Sequence, residues 1–115
     1  MTTLLALYRR PEGGDDALAE FERRYRDEHL PLVAGTPGLR ATRVWRVGEA
    51  LGGETDLAFV AAMDFDDRAA LDEGLRSDAM RAAGRSLREI AGGLFTLLVV
   101  EDAMELAGAA GSKSG

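Results

Sequence analysis

Two stretches of this chain are apolar on both sides of an extended backbone, and that restricts the folds open to it. Along Leu57 to Phe65, alternation sets Leu57, Phe59, Ala61, Met63 and Phe65 on one face and Ala58, Val60 and Ala62 on the other. Along Leu94 to Val100, the sets Leu94, Leu98, Val100 and Phe95, Leu97, Val99 are both apolar. A sheet with one solvated face alternates apolar with polar residues. A sheet built from these strands needs cover on both faces.

The other elements say what supplies that cover. Leu4 to Arg9 reads as a strand closed by Pro11 and Gly13-Gly14. Asp15 and Asp16 open a helix, where acidic side chains suit the cap and the positive end of the dipole. Leu18, Phe21, Tyr25 and His29 recur at helical spacing on one face. Pro31 disfavours a helical Leu30, so this helix is expected to end there. After the Pro37-Gly38 turn, Leu39 to Val47 reads as a second strand and the glycine-rich Gly48 to Glu54 as a connection. Asp56 to Phe65 is a third strand. Asp66 or Asp67 caps a short helix through Leu75, and Ser77 caps another with Met80, Ala83 and Leu87 on one face. Gly92-Gly93 ends it before the fourth strand.

The order is β-α-β-β-α-β, an α+β, ferredoxin-like arrangement with a four-stranded antiparallel sheet. Its helices lie on one side of the sheet, so the other side is expected to pack on a second copy, sheet to sheet, in a homodimer. Residues 1–102 form the domain, and residues 103–115 read as a small, polar C-terminal tail.

Composition excludes several functions. The net charge is -6, with no dominant basic stripe, which argues against nucleic-acid binding. No run approaches the ~20 apolar residues of a membrane span, and no signal peptide is recognisable. With no cysteine, thiol chemistry and thiolate metal sites are absent, and a cytoplasmic location is the expectation. Asp15-Asp16 and Asp64 to Asp67 suit helix caps better than a metal site. No metal or cofactor is expected.

His29 is the sole histidine, and so the side chain whose unperturbed pKa lies nearest neutrality. It is the first candidate for acid–base work, and aromatic neighbours should lower its pKa by disfavouring the charged ring. The competing reading is a histidine that holds a helix end through a backbone carbonyl. Tyr25, one turn earlier, suits a hydrogen bond to a substrate oxygen, or a satisfied core position. Arg9 suits an enolate or carboxylate, or a solvated strand end. Tyr8 projects opposite to Arg9, so at most one of them lines a given pocket. Phe21 and Trp45 are candidate pocket walls, with packing the alternative for Trp45. Asp27 lies nearly opposite His29 on the helix and is a poor partner for it.

The ordered series Tyr8-Arg9-Arg10-Pro11, Phe21 with Tyr25, His29-Leu30-Pro31-Leu32, Pro37-Gly38-Leu39, Phe65-Asp66, Leu75 to Ser77 and Gly92-Gly93 resembles the EthD family of the dimeric α/β-barrel superfamily. The resemblance runs from about Leu5 to Val100. It implies a barrel formed by two sheets across a dimer axis, and a pocket between each sheet and its own helices. It also implies a role in the turnover of ethers and other small organic molecules. The family usually carries an Asp four residues before an aromatic in the helix preceding the last strand; Ser86 and Ile90 stand there in this chain. The expected function is a cofactor-independent lyase, isomerase or cyclase on an oxygenated, hydrophobic metabolite, with His29 moving the proton and Tyr25 or Arg9 steadying charge on oxygen. The alternatives are a non-catalytic homodimeric ligand binder and an accessory protein of a degradation pathway.

Overall fold

The computed structural model describes residues 1–104. The tail read as 103–115 therefore lies, from residue 105 onward, outside the described residues. Strand β1 spans Thr2–Arg9, β2 Ala41–Arg46, β3 Leu57–Phe65 and β4 Phe95–Glu101. They form one antiparallel sheet in the order β2-β3-β1-β4. Helices α1 (Gly14–Arg24), α2 (Leu30–Ala34), α3 (Arg68–Leu75) and α4 (Asp78–Ala91) complete an α+β, ferredoxin-like fold.

Register decides which side chains meet the helices. Leu4 opposes Met63, Ala6 opposes Ala61 and Tyr8 opposes Phe59, and all six are buried. Thr2 and Phe65 extend that row beneath α3. The other face carries Leu5 and Leu7 of β1, Trp45 of β2 and Leu98 and Val100 of β4. It holds one carboxylate in the middle of the sheet, Asp64, which accepts from Thr3 Oγ1 at 2.7 Å and faces Arg43 Nη2 at 3.6 Å.

The helices start where local chemistry lets them. Asp67 accepts from the Ala70 N–H at 2.8 Å to cap α3, and Ser77 accepts from Met80 at 3.1 Å to cap α4. Each such cap stabilises by ~1 kcal/mol. Helix α1 differs from expectation. Its cap is Gly13, in the left-handed region at φ 111°, and Asp15 and Asp16 fall within the first turn. A side chain at Gly13 would also sit 2.9 Å from Ala17 Cβ.

The larger departure is at Pro31. The helix does not stop at Leu30 but continues through α2 to Ala34. Between α1 and α2, Tyr25–His29 form a π-helical turn, in which the Leu30 N–H donates to the Tyr25 carbonyl five residues back. An interior proline removes one donor and crowds the carbonyl four residues before it. The wide turn changes the bonding register just ahead of Pro31, so Pro31 falls in the opening turn of α2, where a missing N–H is tolerated.

Candidate functional site

A cavity of about 390 Å³ lies between the sheet and the helices. Leu4 and Tyr8 of β1, Met63 of β3 and Leu97 of β4 form its floor. His29 and Val33 form one wall, and α4 forms the other through Met80, Ala83, Gly84 and Leu87. The volume suits a small organic molecule, and the lining is mostly apolar with few polar groups.

His29 is positioned by the π-helical turn, a feature that often marks functional sites. The residue is 4% exposed. Burial pushes its pKa down from 6.5 to about 4, and a smaller opposing effect comes from the Ala83 backbone. At neutral pH the ring is therefore uncharged. Its Nδ1 is enclosed and has no hydrogen-bond partner. Buried polar atoms are nearly always paired, so such an orphan is an unusual feature of this wall.

Behind this wall sits an aromatic cluster. Tyr25 lies 5.0 Å, centroid to centroid, from both His29 and Tyr8. Tyr8 donates to the Tyr25 hydroxyl at 3.1 Å. Burial pushes the Tyr8 hydroxyl well above the ordinary phenol range, with the neighbouring Tyr25 adding to it. Burial raises Tyr25 too, and the bond from Tyr8 opposes this. Both stay protonated, and they form a hydroxyl pair beside a neutral imidazole. The β1–β3 ladder is irregular between Tyr8 and Arg9, next to this pair.

The six candidate residues do not all converge. Tyr8 and His29 share the cavity. Tyr25 does not line it; the ring packs behind Tyr8 and borders a second hollow near Glu22 and Arg46. Phe21 is 5.9 Å from Tyr8 in the aromatic cluster, also behind the wall. Arg9 and Trp45 are corrections to the expected grouping. Alternation carries both to the opposite face of the sheet, because their neighbours Tyr8 and Val44 face the helices. Arg9 there bonds Thr96 Oγ1 at 3.3 Å and the Gly93 carbonyl. Trp45 lies under the Arg43 guanidinium, 5.1 Å from the ring centroid. Sequence reasoning missed Arg81, Arg85 and Arg88, which line the cavity from α4. Their spacing of four and three was a legible signal of one helical edge.

Among the described residues no three side chains of His, Cys, Asp or Glu group as a metal site. No helix among them is long and apolar enough to cross a membrane. Neither a protein-family model nor a curated protein sequence matches the chain. Solved structures do. An ethyl tert-butyl ether D (EthD) family protein from Bacillus halodurans is 33% identical with TM-score 0.80, over 90% of this chain and 99% of that one. A dimeric ferredoxin-like protein of unknown function from Bacteroides fragilis is 17% identical with TM-score 0.62, over 88% and 95%. A mutant of SnoaB, a cofactor-independent oxygenase from Streptomyces nogalater, is 17% identical with TM-score 0.59, over 91% and 94%. The last two likenesses concern the fold.

Proposed function

The chain belongs to the EthD family, and from that premise we propose that it is a cofactor-independent lyase, isomerase or cyclase acting on an oxygenated, hydrophobic small molecule. One observation carries this reading: a buried, uncharged His29 that lines an apolar cavity together with Tyr8. His29 takes the proton from a carbon next to a carbonyl, and the electron pair moves onto the carbonyl oxygen. Tyr8 donates to that developing enolate once Tyr25 turns its own hydrogen toward Tyr8. In an elimination, a β-hydroxyl then leaves as water with the proton returned from His29. A base whose pKa lies near 4 needs an acidic C–H, so 1,3-dicarbonyl compounds are the best substrates. SnoaB is a precedent for cofactor-free chemistry on the same fold.

The test is deuterium exchange from D2O into an acyclic 1,3-dicarbonyl that stays un-ionised at neutral pH, such as ethyl 2-methylacetoacetate, followed by NMR. His29→Gln should slow exchange by about a hundredfold or more. An unchanged rate would sink the role of His29.

A second reading, a non-catalytic binder, is favoured because among the described residues no carboxylate acts on His29. Under it the parent catalyses no exchange, and His29→Gln still binds.

The working unit is a homodimer packed through the face opposite the cavity. Its half-exposed Trp45, Leu98 and Val100 support this, as does the dimeric state of the Bacteroides fragilis protein.

A further inference from the structure

The cavity has a charge sign opposite to that of the chain. The protein carries a net charge of -6, yet the three charged side chains on the cavity wall, Arg81, Arg85 and Arg88, are all cationic. All three are exposed at its mouth. Many other arginines have carboxylate partners, as Arg24 has Glu28 at 2.9 Å and Arg46 has Glu22 at 2.9 Å, while Arg9, Arg10 and Arg76 have none among the described residues. Arg81 pairs more loosely with Asp78, at 3.6 Å. Among the described residues Arg85 and Arg88 have no carboxylate within ion-pair distance.

Gly84 stands immediately before Arg85 and one turn before Arg88, and contributes to the same wall. A side chain built there would stand 3.7 Å from Arg88 Nη1, so the guanidinium lies close over the glycine. Glycine within a helix costs ~1 kcal/mol relative to alanine. The missing side chain keeps the wall thin where the cations approach the cavity.

We propose that the ligand is an amphipathic anion. Its apolar body fills the space over Leu4, Met63 and Leu97, and its acidic oxygen group, a carboxylate or the like, is held at the mouth by Arg85 and Arg88. A planar guanidinium matches two such oxygens at once, and an apolar wall beside it strengthens the attraction relative to open water. This inference deepens the preceding reading, in which the cavity is the small-molecule site, and names the class of molecule.

A matched pair of probes separates the two. Binding of 2-naphthoate and of the neutral, similarly sized 2-naphthamide is measured by calorimetry in low salt. The parent should bind naphthoate at least tenfold more tightly than the amide. Arg85→Gln with Arg88→Gln should abolish that preference and leave amide binding unchanged. Arg76→Gln, at an exposed arginine outside the cavity, should behave as the parent. Equal affinities in the parent, or a preference that survives the double substitution, overturn the anionic class while the cavity reading stands. Binding of neither probe overturns both.

Discussion

The two faces of the sheet are both apolar, yet only on one of them are the central strands β1 and β3 covered by the chain's own helices. Toward the helices, Ala6, Ala61 and Phe65 are fully enclosed. On the other side, Leu5, Leu7 and Val60 of the same strands are only half-buried; at the edge strands both faces are partly open, with Leu97 45% exposed toward the helices and Leu98 41% away from them. Hydrophobicity alone does not distinguish them. The polar atoms do. The helix side carries an orphaned imidazole nitrogen in the wall of a cavity and a pair of hydroxyls behind that wall. The open side carries Asp64 satisfied by Thr3 and near Arg43, and neither of the two hollows described above is lined from that side. On the proposed reading, one face receives a small molecule and the other a second sheet.

The sharpest way to break this contrast is a pair of substitutions. Phe65→Ala, on the closed face, should lower unfolding stability by about 3–5 kcal/mol in urea titrations. Leu98→Lys, on the open face, should leave the circular dichroism spectrum intact and shift sedimentation from dimer toward monomer. If Leu98→Lys leaves association untouched while Phe65→Ala leaves unfolding stability unchanged, the two faces have been assigned the wrong way round.

The next effect is specific to the cavity side. The unfolded chain protonates His29 as the pH falls below about 6.5, whereas the folded chain holds it neutral down to about 4. The stability from this group is thus complete above pH 6.5 and is lost as the pH falls toward 4, by about 3 kcal/mol. Denaturation at pH 7 and pH 4.5 should show that loss in the parent and not in His29→Gln. Parallel curves would mean that His29 is solvated after all.

The smallest effect concerns the open face. Thr3→Val removes the hydroxyl that donates to Asp64, and should cost about 1 kcal/mol. A neutral result would show that Arg43 or water satisfies that carboxylate by itself.

Much of this architecture is legible in the residues. The doubled apolar faces of β3 and β4, the caps at Asp67 and Ser77 and the stripe from Phe21 to His29 are local patterns, and local patterns survive folding. What escapes is anything that depends on pairing. The sequence shows that Trp45 and Val44 point opposite ways. Only the register of β2 against β3 says which of them faces the helices. Arg85 and Arg88 read as ordinary surface residues until β4 brings Leu97 beneath their helix. Pro31 misleads for another reason: the rule that it ends a helix assumes α-helical bonding in the turn before it, and Tyr25–His29 bond differently.

That wide turn makes the aim of His29 a matter of counting. Successive side chains of an α-helix are rotated by about 100° around its axis. A π-helical turn is the imprint of one additional residue in an otherwise continuous helix. Shortening the segment by one position, at exposed Asp27 for instance, would let the helix close up with its composition almost unchanged. It would also turn His29 relative to the Phe21–Tyr25 stripe that precedes it. The chemistry of this pocket is thus encoded in a length as much as in a residue, and relatives that keep the histidine but differ by one position in this segment have no claim to the same site.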